Sequence, residues 1–489
     1  MTSRRDPAAA AVGSPALGGA GSTPTSWRLR RASLGPGVER DLGLLGGRLV
    51  DPATLGSDAR VVDLGGRPVL AGLVDQHIHL LALAAARTSV DVSPEALQRA
   101  GGLGAALRAG RADRGDGWLR AVGYDMATSG ALDRGLLDAI GVGPVRVQDR
   151  TGTTWTIDQV GLAEVLPADR RDWPDGVEQD AAGQPSGRLF RLDDWLRTRL
   201  GPARPDLASL GRWLAGRGVT TVVDASATNG GQALAILASA QLPQHVVAMT
   251  ADPATGPCDG VALGPVKILL DDAALPGLDE LTERVRAAHG FGRTVAVHCV
   301  TTVQLVLALS AGLRSGDRIE HGSVIPDQAL ALVADAGVTV VTQPGLVRLR
   351  GDRYWREVEA HERPALYRLG SLRRAGIAVA IGTDAPYGPA DPWVHVAAAL
   401  DRRTAAGRVI GAVETVGLDV ALDLLHRDPS DPARARPGVE LGAPGDLCVL
   451  DTDWTDVVAA ADAVRVHATW VDGQPVHGPQ AETPTHRPA

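Results

Sequence analysis

Eight short apolar, β-rich runs recur along the chain with helix-forming sequence between them. They lie near Leu73 to His77, Val219 to Asp224, His245 to Thr250, Val266 to Leu270, Thr294 to His298, Arg318 to His321, Val338 to Gln343 and Ile377 to Thr383. Runs of this kind alternating with helices read as parallel strands joined by crossover helices. Eight such units close a (β/α)8 TIM-like barrel, in which reactive groups gather at the C-terminal ends of the strands. The polar residues fall there. His77, His298, His321 and Asp384 stand at or just beyond the last apolar residue of their runs, and Lys267 lies inside its own. With 44% hydrophobic but only 3% aromatic residues, the core is built mostly of Ala, Val and Leu, which suits parallel α/β packing.

Both ends of the chain read differently. Trp27 to Val50, Val61 to Leu64, Gly445 to Asp451 and Ala468 to Val476 are short strands punctuated by Gly and Asp. They predict a small β-sandwich assembled from both termini, 26–69 with 427–480, around a barrel at 70–426. Residues 1–25 read as a disordered tail and 481–489 as a second tail. About 140 positions separate the first run from the second, which predicts a large insertion after strand 1, a cap at about 93–217. Within it, Gly123-Tyr124-Asp125 and Arg150-Thr151-Gly152-Thr153-Thr154-Trp155 stand out from the Ala/Leu background. Insertions at a barrel mouth serve as lids or substrate walls, so Tyr124, Arg150 and Trp155 are the candidate substrate contacts.

Charge and cysteine usage exclude several classes. The 49 cations against 57 anions imply no basic face for nucleic acid, and the densest cluster, Arg28, Arg30 and Arg31, reads as a solvated strand edge. No stretch approaches 18 consecutive apolar residues, so no membrane span is expected. Gly13, Pro15, Gly18 and Gly19 interrupt any export signal. Cys258, Cys299 and Cys448 lack a C-x-x-C pairing, which fits a reducing, cytoplasmic setting. The expected partner is a small-molecule substrate, with homo-oligomerisation left open.

One lysine, Lys267, stands against 48 arginines. Arginine replaces lysine wherever only charge is needed, but guanidinium stays protonated and unreactive, whereas a buried amine can lose its proton. Three roles fit: Schiff base, general base, or carbamate formed with CO2. In Asp75-Gln76-His77-Ile78-His79 the two histidines are two apart, so on a strand they project from one face and can grip one ion. His298 and His321 each end an apolar strand, and Asp384 follows Val379 to Thr383. Taken singly, such histidines are usually structural and such an aspartate a helix N-cap; five coincidences on barrel strands together point to a site. His245, His289, His361, His395, His426, His467, His477 and His486 read as surface or packing residues, and Cys299 as inert packing.

In order and strand placement, His77-x-His79, Lys267, His298, His321 and Asp384 resemble the binuclear branch of the amidohydrolase superfamily, over roughly residues 26 to 480. The cap and Gly382-Thr383-Asp384-Ala385-Pro386 are similar to the sub-branch containing N-substituted formamide deformylases. Many of its members carry a histidine in a D-G-H stretch of the cap and another after Q-P on strand seven; here those regions read Arg150-Thr151-Gly152-Thr153 and Gln343-Pro344-Gly345-Leu346. The resemblance implies that Lys267 is carboxylated by CO2 and that its carbamate bridges two divalent ions. His77, His79 and Asp384 would hold one ion, His298 and His321 the other. Imidazole and oxygen ligands suit zinc best, with Mn, Fe, Co and Ni compatible. The implied function is hydrolysis of a non-peptide amide, linear or cyclic, by a bridging hydroxide with Asp384 as proton shuttle. The same centre suits lactone, ester or phosphoester hydrolysis, and a barrel without catalysis would serve in assembly.

Overall fold

Eight parallel strands pair in sequence order: β1 (Leu73–Ile78), β2 (Val219–Asp224), β3 (His245–Thr250), β4 (Ala262–Ile268), β5 (Val295–Cys299), β6 (Arg318–His321), β7 (Thr339–Thr342) and β8 (Ala378–Ile381). This computed structural model describes residues 25–478 except 115–116 and 201–204. The two expected tails lie outside the described residues apart from Thr25. The sheet curls back on itself where Ile78 bridges in parallel to Ala385, just past β8, and the Asp384 amide donates to the His77 carbonyl at 2.6 Å. The expected (β/α)8 barrel is therefore present. One strand is displaced from its expectation: β4 begins at Ala262, where Ala262 and Leu263 pair with Val247 and Ala248, and it ends at Ile268, leaving Leu269 exposed.

The crossover helices pack their apolar stripes onto the outside of this sheet. In α1 (Leu278–Gly290), Leu281, Val285 and Ala288 recur at helical spacing and are buried against strand residues such as Val295 and Val297. The next helix, α2 (Thr302–Ser310), starts at a reciprocal capping box between Thr301 and Gln304. Cys299 belongs to this outer core. Inside the barrel, below the site, Val223, Val247, Met249 and Ala296 fill the bore.

The terminal segments form two four-stranded sheets. Trp27–Gly35, Val38–Leu45, Arg48–Val50 and Arg60–Asp63 make one; Val69–Ala71, Leu447–Leu450, Val466–Val471 and Gln474–His477 make the other. Trp27, Leu29, Leu44, Leu447, Val449 and Trp470 pack between them, so both chain ends contribute to one sandwich core. On its surface Arg31 pairs with Asp63.

Between β1 and β2 the chain builds the cap around a six-stranded mixed sheet. Its spatial order is Val90–Asp91, Leu119–Tyr124, Val145–Asp149, Thr154–Ile157, Pro185–Phe190 and Val177–Gln179. Leu119, Ala121, Val145 and Val147 bury one face, while Trp155, Ile157 and Leu189 bury part of the other. Among the described residues, no helix is long and apolar enough to cross a membrane.

Candidate metal centre

The C-terminal ends of β1, β4, β5, β6 and the turn after β8 bring His77, His79, Lys267, His298, His321 and Asp384 together. His77 Nε2 and His79 Nε2 lie 3.6 and 3.3 Å from Asp384 Oδ1, and His321 Nδ1 lies 4.0 Å from Asp384 Oδ2. The ring centroids of His77 and His321 are 4.7 Å apart and those of His298 and His321 4.5 Å. His77, His79 and Asp384 thus offer one ligand atom each within 4.8 Å of one another, a spacing compatible with one ion.

Two backbone irregularities aim these groups. Alternation along β6 would send Glu320 and His321 to opposite faces, but His321 has φ 70°, and this departure from extended geometry lets both side chains enter the barrel. Asp384 has φ 57°. Left-handed conformations at residues other than glycine cost on the order of 1–3 kcal/mol and concentrate at functional sites. The β1–β8 seam over-determines the second. Asp75 accepts from the Thr383 amide (2.9 Å) and hydroxyl (2.6 Å), and a Cβ on Gly382 would sit 2.5 Å from the His77 Cβ. Only glycine lets β8 approach this closely. Burial pushes the Asp75 carboxyl up to about 6.

Each of three histidines has its Nδ1 occupied, which frees Nε2 for the centre. His77 Nδ1 makes a short contact with Glu320, His79 Nδ1 meets Ser226 Oγ at 2.9 Å, and His321 Nδ1 donates to Gln343 Oε1 at 2.9 Å. Glu320 in turn accepts from Arg318 Nε at 2.7 Å, and Arg318 Nη2 donates to the Gln76 carbonyl at 2.7 Å. Burial alone would raise the Glu320 carboxyl, but Arg318, then His77 and Lys267, hold it well below the usual carboxylate range. Asp384 behaves alike: burial would raise it, and His79, His321 and His77 outweigh burial. Burial, then the Lys267 charge, lowers His77 and His298 to about 4, which favours the neutral imidazole that a metal ligand requires. Lys267 is pulled down from its ordinary value, chiefly by burial.

The donor set fits a cationic group. Among the described residues Lys267 Nζ and His77 Nε2 are buried with no hydrogen-bond partner, although an unsatisfied buried polar atom costs about 1–3 kcal/mol. Both sit in a cluster of imidazoles and a carboxylate, which is the chemistry of a site for transition-metal ions.

The structure places the three candidate substrate contacts elsewhere. Tyr124 is buried in the cap core, its hydroxyl donating to the Ser129 and Gly130 carbonyls at 3.1 and 3.2 Å. Arg150 Nε pairs with Asp125 Oδ2 at 2.9 Å. Trp155 Nε1 donates to Asp193 Oδ1 at 2.8 Å. None of the three contacts the histidine cluster among the described residues. The cap reaches the centre through Gly152, where an added Cβ would lie 2.9 Å from the Tyr387 ring, and Tyr387 packs edge-on against His79 with centroids 5.5 Å apart. Sequence reasoning missed Tyr387, Glu320 and Arg318. The i, i+2 spacing of Arg318 and Glu320 on a buried strand was the available signal for the latter two. His395, read as packing, is buried with Nδ1 accepting from the Gly345 amide and Nε2 donating to the Pro389 carbonyl.

Barrel, cap, terminal sandwich and strand-end cluster define a metal-dependent barrel hydrolase. The sequence matches the amidohydrolase family over residues 60–477. An N-substituted formamide deformylase from Arthrobacter pascens is 24% identical over 488 aligned residues, covering 85% of this chain and 89% of its own. An uncharacterized metal-dependent hydrolase from Pyrococcus furiosus superposes with a TM-score of 0.66 at 20% identity, covering 88% of this chain and 99% of its own. A mutant atrazine chlorohydrolase from Arthrobacter aurescens TC1, complexed with zinc and atraton, gives a TM-score of 0.52 at 14% identity, covering 94% and 97%. The chain belongs to the amidohydrolase family, and is a metal-dependent enzyme hydrolysing carbon–nitrogen bonds.

Proposed function

We propose that the protein hydrolyses a non-peptide amide, linear or cyclic, in a small molecule at a centre of two divalent ions. His77, His79 and Asp384 would hold one ion, His298 and His321 the other, and a carbamate on Lys267 would lie between them. The observation that carries this reading is the pair of orphaned buried atoms, Lys267 Nζ and His77 Nε2, facing a cluster of imidazoles and one carboxylate. A neutral buried amine is the form that reacts with CO2, and the carbamate so formed carries two oxygens and a negative charge. Imidazole and oxygen donors suit zinc, the ion complexed in the atrazine chlorohydrolase structure. Bound there, the ions would lower the pKa of a water toward 7 and polarise the scissile carbonyl.

Asp384 handles the protons. Its carboxylate is held anionic among His79, His321 and His77, so it can take a proton from the attacking water and return it to the leaving nitrogen. Glu320 keeps His77 in the Nδ1-protonated tautomer. The amide class is supported by the deformylase relative.

Elemental analysis of the purified protein tests the centre. Two transition-metal ions per chain and loss of activity to chelators are expected; full activity with no metal, or saturation at one ion, overturns it. Asp384→Asn should keep the fold yet lose about 10²-fold or more in kcat. Near-normal kcat in that variant removes the shuttle. Turnover of esters or lactones but of no amide overturns the bond assignment.

A further inference from the structure

Across from the metal centre the cap presents hydrogen-bond donors with too few acceptors. Arg120 and Arg146 are register partners on neighbouring parallel strands, so their side chains share one face of the cap sheet. Their guanidiniums flank the Trp155 ring at 5.2 and 4.9 Å from its centroid, a contact that fixes both in place. Arg120 donates to Ser89 Oγ at 2.6 Å and Gln148 Oε1 at 3.1 Å. The Arg146 side chain makes no hydrogen bond with the described residues, and its Nε is buried without a partner among them. Among the described residues Asp193 is the one acid whose charge reaches both arginines, and its Oδ1 already accepts from Trp155 Nε1 and Gln148 Nε2.

Tyr387 joins this wall to the chemistry. Its ring packs on His79, its phenol lies within electrostatic reach of Asp384 and, from the cap, of Asp193, Arg120 and Asp149, and its hydroxyl has no partner among the described residues. Two part-buried guanidiniums beside one engaged carboxylate leave an uncompensated positive charge, which a ligand oxyanion would neutralise with charge-assisted hydrogen bonds.

We infer that Arg120, Arg146 and the Tyr387 hydroxyl bind a carboxylate on the substrate, so that the amide cleaved is that of an N-acyl amino acid or a similar carboxylate-bearing small molecule. This rests on the amide hydrolysis proposed above and narrows it.

The test uses the metal-loaded enzyme and N-formyl and N-acetyl amino acids, each paired with its neutral carboxamide, alongside the same pairs built as O-acyl hydroxy acids. The acids should exceed their carboxamides in kcat/KM by about 100-fold, the range of hydrogen bonds to charged groups. Arg146→Met breaks no side-chain hydrogen bond among the described residues and keeps an apolar chain against Trp155, and its melting temperature checks that it folds. It should shrink the acid-to-carboxamide ratio at least about tenfold, mainly through a higher KM, and Arg120→Gln should do so at least as strongly. Carboxamides cleaved as well as acids by the wild type, or a ratio unmoved in Arg146→Met, overturns the inference. If only the ester pairs turn over, the amide reading fails, while the acid-to-neutral ratio among esters still decides the carboxylate wall. If nothing turns over, calorimetric titration of the acids decides it: no binding, or equal affinity for the carboxamides, overturns it.

Discussion

At the barrel mouth, Lys267 Nζ and His77 Nε2 are buried without partners; in the adjoining cap, the Tyr124 hydroxyl has two carbonyl acceptors and Arg150 a carboxylate. Both regions put polar side chains into low-dielectric surroundings, and burial of an unpaired polar group is costly in either. The cap residues named from sequence have their internal partners, which is what a scaffold requires. The strand-end residues lack theirs, and the missing partner is what a bound group supplies. Unsatisfied burial inside a cluster of ligating groups separates the site from its support; Trp27 Nε1 and Trp470 Nε1 in the sandwich also lack partners among the described residues, but no such cluster surrounds them. Changes at the mouth should therefore remove function and spare stability, and changes among satisfied cap groups should do the reverse.

Lys267 gives the largest separation. Lys267→Arg cannot form a carbamate and brings positive charge toward the ions, so metal-dependent catalysis worth several kcal/mol should vanish, a loss of at least about 10³-fold. Lys267→Met should be as inactive, yet its metal-free form should melt no lower than metal-free wild type, because an unpartnered amine leaves the interior. An active Lys267→Arg variant, or a Lys267→Met variant that melts well below wild type, would break the comparison at its strongest point.

Glu320 tests whether support groups inside the barrel share the behaviour of the site. Glu320→Gln preserves shape but weakens the hold on His77 Nδ1, and loss of such a partner typically lowers metal affinity 10- to 100-fold. Chelator competition measures it. Unchanged affinity would mean that His77 is oriented by packing alone.

The strand ends were legible from sequence because a parallel barrel dictates where they go. Eight apolar runs imply seven crossovers, period-two alternation sends His77 and His79 to one face, and strand C-termini converge. Glu320 was overlooked because alternation with an inward His321 assigns it outward, in spite of its i, i+2 spacing from Arg318; the left-handed backbone at His321 that lets both enter is a departure no periodicity reveals. The cap clusters have an equally local origin. Asp125 accepts from the Ala127 amide at the start of a short helix, and Asp149 accepts from the Thr151 and Thr154 amides, so the clusters that stood out from the background are turn chemistry. Tyr387 carries no local signature. Its place against His79 follows from how the turn after β8 closes onto β1, a tertiary relation.

Tyr124→Phe examines the satisfied side of the comparison. Removing the hydroxyl leaves two carbonyls short of a donor and should cost about 1 kcal/mol of cap stability, seen as a lower melting temperature, with little change in kcat/KM. A large kinetic defect in a variant that melts normally would instead return Tyr124 to the substrate.

The smallest effect lies at the opposite end of the barrel, where the comparison predicts a pH dependence unrelated to the metal centre. His245, the first residue of β3, places Nε2 3.3 Å from Asp446 Oδ2 and 3.6 Å from Asp472 Oδ1, which ties the barrel to the terminal sandwich. The hydrogen bond to Asp446, against the opposing effect of burial, raises the imidazole above its ordinary value. A raised folded-state value favours the protonated form in the native protein. The resulting stability is fully present below the unfolded value, near 6.5, and is lost as pH rises through the folded value. Arg436 Nη2, 2.9 Å from Asp446 Oδ2, keeps that carboxylate paired after His245 deprotonates, and the imidazole is partly exposed, so the contribution should stay below about 1 kcal/mol. Melting temperatures of chelator-treated wild type and His245→Gln, followed from about pH 6 to 9, should converge as pH rises. A gap that widens with pH gives the linkage the wrong sign, and one that appears only with metal bound would assign it to the mouth of the barrel.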